Sequence, residues 1–508
     1  MDTVSRGFSI LELLIALAIG SLVMAAVIIT ALGDQSSILS GDANADAVAL
    51  GQNIIEEIQS LGRQDFNLVN PTTTKHVLGN VTLTANTQVE LLSDGVTKVV
   101  TSTISWLSDA HHTLSSTFKT IVTNPDSGSP SSCGSMITAD WSRARMSAPF
   151  DIGQSVSGGN PITEIAIFNK RLFVTTSNTR GHNDDFYIYD ASINPITPAF
   201  VTSLDTNTVT PGLHSIAIAS TSAAVYAFVA NGNTSNWSTC NPSVSCAQVQ
   251  VLNITNPLAP ALVTNYKIPA TTTPFVVGSG GQGVPNTLVY KNGYLFVGLS
   301  KTGSGPEFII LDVGAGSGSP GNPRYKGSYT VGRAVNSIFV QNGYAYLATA
   351  DNTREVIELD ITNPAMPVFI AAFDTPGASG FGGGNTLTGV GVKLYLGRNY
   401  VSGAPEWYAL DTTNPTALTL LGSRDPGVNP ATESINGIVV RDFIAFVVMT
   451  QSFQIWDIGN PGSITPLISF NLSGNGASGA AIGCNDNYMY IGSYRTSNEK
   501  GVIYTLYP

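Results

Sequence analysis

The chain has 508 residues, only 11% of them charged, with 51 glycines, 27 prolines and a net charge of -11. That length calls for two or three modules, and charge-poor, turn-rich composition points to an all-β body. The acidic balance excludes general nucleic-acid binding, which needs a basic footprint. Five histidines and no Cys-x-x-Cys leave no zinc site in view.

The first element is "GFSILELLIALAIGSLVMAAVIITALG", Gly7 to Gly33, where Glu12 is an acid inside an apolar run. The uninterrupted part, Leu13 to Leu32, is long enough for a membrane helix, and an acid at that depth is a functional signal. Together with the short polar leader "MDTVSRG", the stretch resembles the class III signal of type IV pilins and pseudopilins. The resemblance implies cleavage by a prepilin peptidase after Gly7, methylation of the new N-terminal Phe8, and storage in the bacterial inner membrane before assembly. Glu12 then falls at the fifth mature position, where that family carries its acid. Physically, the new amine on Phe8 meets the Glu12 carboxylate, its own or a neighbour's, so neither charge stays unpaired in apolar surroundings. Glu12 is therefore read as the assembly register that joins other pilin subunits through the N-terminal helix. No proline interrupts this segment before Pro71, which favours a minor pilin or pseudopilin over a major one.

Helical spacing continues through Ile38, Val48, Ile54, Ile55, Ile58 and Leu61, with Gly62 as the stop. Alternating β-type runs follow to Asn124. The expected module is thus a pilin-like α+β unit at 8–124, a long membrane-spanning helix over 8–61 plus a small antiparallel sheet over 66–124, after a leader at 1–7. His111 and His112 read as solvated turn residues. Residues 125–140 are Pro/Gly/Ser-rich and read as a linker.

From 141 to 508 the chain repeats. "FYIYDASINP", "VQVLNITNP", "VIELDITNP", "WYALDTTNP" and "FQIWDIGNP" share one pattern, and "FIILDVGAGSGSPGNP" is a looser copy. The equivalent residues Asp190, Asn253, Asp312, Asp360, Asp411 and Asp457 lie 46 to 63 residues apart, close to the period of a propeller blade. The copies resemble the LVIVD-type propeller repeat, which implies an all-β propeller, read here as seven-bladed. The Asp side chain accepts backbone N–H groups where its strand ends, and Asn-Pro turns the chain, so these residues are scaffold. The last unit has only three strands, and Arg145 to Gly159 has the pattern of the missing fourth one.

Four cysteines allow three connectivities. Proximity prefers Cys133 with Cys484, locking the ring, and Cys240 with Cys246 across a short loop tip. Long loops emerge on one face, and Trp237 on one of them is either an anchor for a sugar ring or partner protein, or a cover for its own disulfide loop. His214, Asn286, Asn336, Asn385 and Asn436 begin the innermost strands. They either cap their own turns or form a binding ring at the channel mouth. Asp184 and Asp185 carry too few spaced oxygens for a calcium loop.

No G-x-S-x-G elbow, P-loop or H-E-x-x-H occurs, so no catalytic residue, metal or cofactor is assigned. The expected function is a pilin-like filament subunit displaying a propeller at the cell surface for adhesion to an unknown extracellular protein or glycan, with no nucleic acid. The competing readings are a pseudopilin of a secretion or DNA-uptake machine, and a filament-borne glycan-active enzyme.

Overall fold

The computed structural model describes residues 44–58, 69–78, 81–91, 97–107, 112–123, 140–153, 160–177, 184–206, 212–221, 223–232, 247–268, 283–302, 305–377, 382–414, 416–427, 433–441, 443–472, 477–495 and 500–508. The chain divides into two compact units, Met1–Pro125 and Asp126–Pro508.

In the first unit Thr72–Leu78, Val81–Leu91, Thr97–Leu107 and Thr113–Thr123 form a four-stranded antiparallel meander. Its buried face carries Leu83, Ala85, Val100, Ile104, Trp106 and Val122. Residues 44–58 are helical, and Ala47, Leu50, Ile54 and Ile58 pack against that face. Gly51 lies against the Phe118 ring, where a Cβ would overlap it.

The expectation of a long membrane-spanning helix ahead of this sheet is corrected here. The described residues are nearly all β, and none of their helices is long and apolar enough to cross a membrane. For the part of the expected helix that is described, 44–58, the reason is visible in its pattern. Its apolar residues form one narrow stripe facing the sheet, while Asp46, Glu56 and Glu57 occupy the exposed side. A stripe of that width covers a sheet but cannot face lipid all round. Residues 8–43 and 59–61 of the expected helix lie outside the described residues.

The described residues of the second unit form seven sheets in chain order, sheets 1 to 7. Their first strands are Ile162–Phe168, Leu213–Ser220, Pro285–Lys291, Val335–Gln341, Gly384–Val390, Ile435–Arg441 and Ala477–Asn485. Each of these touches the first strand of the next sheet, and that of sheet 7 touches that of sheet 1, so the ring closes. Sheets 1 to 6 are four-stranded antiparallel meanders. A β-rich body of this form fits a propeller.

Between neighbouring sheets lie seven apolar clusters of described residues, one at each junction. The fourth strands of sheets 1 to 6 are the outer rim. Each carries a bulge against the third strand, at Val201, Val263, Lys326, Ile370, Leu421 and Leu467. Bulges twist an edge away from pairing with other chains.

In sheet 7 the last strand, Gly501–Tyr507, pairs with Arg145–Met146 and Phe150–Asp151 from the start of the unit. Asp151 is held by Arg495 at 3.0 Å and Lys500 at 3.3 Å. Both ends of the unit therefore meet in one sheet, which removes the open edges of a linear array.

The turn chemistry is regular. Asp190, Asn253, Asp360, Asp411 and Asp457 each accept the backbone N–H two residues on, at 2.8–3.0 Å. The asparagines of the Asn-Pro pairs do the same at 3.1–3.2 Å. The next sheet's Asn-Pro turn then docks on the outer strand before it. A Cβ on Gly422 would overlap the Pro461 carbonyl oxygen, and one on Gly327 the Pro364 carbonyl oxygen. Backbone cannot yield as a side chain does. Gly422→Ala is expected to cost about 2 kcal/mol by overpacking, measured as a lower urea midpoint. An unchanged midpoint would mean that the turn is not seated there.

Candidate functional site

Of the residues singled out by sequence, Gly7, Phe8, Glu12, Cys133, Trp237, Cys240, Cys246 and His111 lie outside the described residues. His112 is described and exposed. Cys484 is fully buried and disulfide-bonded, with its partner outside the described residues.

His214, Asn286, Asn336, Asn385 and Asn436 share one structural position. Each is the extra residue of a bulge between the first and second strands of its sheet. A bulge re-aims the side chain it carries, and here it aims at the neighbouring sheet. The amides of Asn286, Asn336 and Asn385 donate to the Val335, Gly384 and Ile435 carbonyls, at 3.2, 2.8 and 2.9 Å. Asn385 also donates to the Asn436 side chain at 3.0 Å. His214 hydrogen-bonds the Pro285 backbone, and burial lowers its pKa. The side chains of His214, Asn286, Asn336 and Asn385 thus tie their first strands to the next sheet, and Asn436 receives such a tie from Asn385.

The next residue along repeats the tie with opposite polarity. Ser215 and Ser337 accept the Leu288 and Leu387 N–H groups at 3.0 and 3.2 Å. Glu164 accepts that of Ile216 at 2.9 Å. Burial, opposed by bonds from Ser215 and Ile216, pushes the half-buried Glu164 up to about 7.

At the loop-bearing side, Asp185 accepts the Thr206 N–H at 3.0 Å and its hydroxyl at 2.8 Å, while the Ser203 hydroxyl donates to Asp184. Both acids are engaged in loop scaffolding. Among the described residues no three His, Cys, Asp or Glu side chains are grouped to hold a metal ion.

Sequence reasoning missed a charged seam between sheets 4 and 5. Arg398, at the end of Lys393–Arg398, is fully buried. Its Nη1 donates to the Thr375 hydroxyl at 2.7 Å, and its guanidinium lies 6.0 Å from the Tyr408 ring centroid. Its Nε and Nη2 have no hydrogen-bond partner among the described residues. Glu355 accepts the Thr375 N–H at 3.0 Å through one oxygen and leaves the other unpaired. Burial raises the pKa of Glu355; hydrogen bonds, chiefly from Thr375, oppose that rise, and Arg398 adds a smaller opposition. Burial likewise pushes Glu406 up to about 7, again with Arg398 opposing.

Deeper in the same seam Glu358 is fully buried, and neither oxygen completes a hydrogen bond. Tyr346, directly opposite in the strand pairing, is close enough to favour the ionised form, but burial dominates and pushes Glu358 up to about 7. One signal was available in the sequence. In the aligned copies the place of Glu358 is taken by Ile188, Val251, Ile310, Ala409 and Ile455, so a lone acid stands in an apolar column. Among the described residues the seam of Arg398, Glu355, Glu406 and Glu358 sets no nucleophile beside a base.

Three comparisons bear on identity. The prokaryotic N-terminal methylation motif matches residues 3–28. No curated protein matches. Among solved structures, the N-terminal domain of Nup159 aligns with 10% identity over 74% of this chain and 98% of its own, at a TM-score of 0.41. PorZ, a surface component of the type IX secretion system of Porphyromonas gingivalis, aligns with 13% identity over 69% of this chain and 38% of its own, at 0.39. Neither structural likeness bears on function. The methylation motif does: it supports a type IV pilin-like or pseudopilin-like protein, processed by a prepilin peptidase and assembled with other pilins.

Proposed function

We propose that the chain is a minor pilin-like subunit that carries its seven-sheet ring to the cell surface for adhesion or recognition. The observation that carries this reading is the methylation motif at residues 3–28. In it the peptidase cuts between Gly7 and Phe8, and the amine made on Phe8 pairs with the Glu12 carboxylate of the same or a neighbouring subunit. The ring is a binding module and not an enzyme. Its repeat is of the LVIVD type, a reading supported by the Asx turns at the five Asp or Asn strand ends. A Cys133–Cys484 disulfide would tie the segment before the closing strand to sheet 7, and Cys240 would pair with Cys246; peptide mapping without reductant distinguishes these from the other two connectivities.

Two measurements test the reading. Mature protein from cells with the peptidase should begin at a methylated Phe8, and protein from cells lacking it should keep residues 1–7. Glu12→Ala should leave cleavage intact and reduce the amount in sheared surface filaments at least tenfold, because the amine then has no partner in apolar packing. Normal incorporation of the variant would overturn the register role. Immunogold labelling of the ring on sheared filaments separates the two members of the class: gold on filaments means a pilus subunit, and protein left only in the membrane fraction means a pseudopilin.

A further inference from the structure

The rim of the ring has one exception, and it lies in sheet 3. In five of the six bulged outer strands the bulge residue and the two before it carry no charge: Ala199-Phe200-Val201, Ala261-Leu262-Val263, Val368-Phe369-Ile370, Thr419-Leu420-Leu421 and Thr465-Pro466-Leu467. Sheet 3 has Arg324-Tyr325-Lys326 instead, with Lys326 as the bulge residue. Sheet 3 also lacks the short Asn-Pro turn. Its third strand ends at Asp312, and the longer loop after it folds back on that carboxylate. Asp312 accepts the N–H groups of Gly314, Ala315, Gly316 and Gly318 at 3.0–3.1 Å.

These departures together form a cavity of about 510 Å³, open to the rim and lined by Tyr266, Asp312, Asn322, Arg324, Tyr325 and Lys326 among others. That volume is in the range of ligand sites. Asp312, opposite Arg324 in the strand pairing, keeps its charge and leaves the lining with one net positive charge, but its oxygens are taken by four backbone donors and it forms no ion pair with either cation. Neither Arg324 nor Lys326 forms an ion pair with a described residue. The Tyr325 hydroxyl is bonded to Ser328 at 2.7 Å, and the Tyr266 hydroxyl to the Tyr325 backbone, so what both tyrosines offer a ligand is ring surface.

We propose that this rim cavity binds an acidic polysaccharide, with Arg324 and Lys326 pairing its carboxylate or sulfate groups and Tyr266 and Tyr325 contacting its sugar rings. The proposal rests on the reading of the ring as a displayed recognition module and names its ligand class. An open cavity suits a chain that runs through it, and paired cations beside aromatic rings suit a ligand with charge on a polyhydroxylated frame. The chain's net charge of -11 repels polyanions in general, so attachment must depend on these two residues.

The test uses the full-length protein in detergent, with dextran sulfate, polygalacturonate, neutral dextran and poly-glutamate as probes. At low salt the protein should bind dextran sulfate or polygalacturonate and not neutral dextran, with affinity falling as salt rises. The double variant Arg324→Gln/Lys326→Gln should lose at least tenfold in affinity. Arg333→Gln, at an exposed arginine elsewhere on the ring, should bind as the parent does. Equal binding by the double variant, equal or preferential binding of poly-glutamate, or no binding of either acidic polysaccharide by protein with a native unfolding transition would each overturn the site. Removal of residues 1–7 and filament incorporation are scored on the same protein. Processed, incorporated protein that fails to bind overturns this site alone; unprocessed protein that binds overturns the pilin reading alone.

Discussion

Arg398→Leu should destabilise the ring by about 3–5 kcal/mol at pH 8, the usual cost of removing one partner from a buried ionic group. Leucine is tolerated sterically, since Leu299 ends the second strand of sheet 3 at the equivalent place. The cost is electrostatic. Without the guanidinium, Glu355 and Glu406 lose a cation that opposes the effect of their burial, and the Thr375 hydroxyl loses its donor. At pH 5 both carboxylates can take up a proton, so the penalty should shrink by more than half. Adding Glu355→Gln and Glu406→Gln should restore much of the loss at pH 8, because the buried charge is then gone altogether. Urea unfolding followed by tryptophan fluorescence reads this locally: Trp407 and Trp456 are fully buried in sheets 5 and 6, with ring centroids 5.8 Å apart. Equal midpoints for Arg398→Leu and parent at pH 8 would show that the guanidinium does not compensate the acids.

The second large effect is a fall in stability as pH rises from about 4.5 to 7. Glu358 has an ordinary value of 4.5 and is pushed up to about 7 in the fold. Between those values the folded state binds a proton that the unfolded state has released, so stability declines with rising pH and levels off above 7. For one fully buried group the change is on the order of 3 kcal/mol. Glu406 shifts in the same direction. Asp151, Asp190, Asp312 and Asp411 are held below their ordinary value by ion pairs or turn hydrogen bonds. Their contribution has the opposite sign and is lost only as pH falls below about 4. The ring should therefore be most stable near pH 4.5–5. Glu358→Gln keeps the shape and cannot ionise, so it should leave the midpoint at pH 5 nearly unchanged and raise it at pH 8. A variant with the parent's full difference between pH 5 and pH 8 would remove Glu358 as its source.

What the sequence determined by itself is what local chemistry decides. A processing signal acts as a linear stretch, so leader, Gly7, Phe8 and Glu12 were legible as residues in a row. The repeat was legible too, because an Asp at a strand end and an Asn-Pro after it each bond their own backbone two residues on, and such turns form wherever they occur. Periodicity was a weaker guide: it marked a helix through Ile38 to Leu61, of which the described residues 44–58 are helical, but what the apolar stripe faces was settled by the sheet it packs on.

Only the tertiary structure decided the rest. Asn286, Asn336 and Asn385 hold the next sheet because a bulge turns each of them outward from its own strand, and a bulge exists only once two strands have chosen a register. Arg398 ends one strand while Glu355 and Glu406 each precede another, and Glu358 is a costly residue only because sheet 5 closes over it. Closure itself joins Phe150 to Ile503. Local preference cannot specify such pairings. They follow from burying seven apolar seams at once, which no segment does alone.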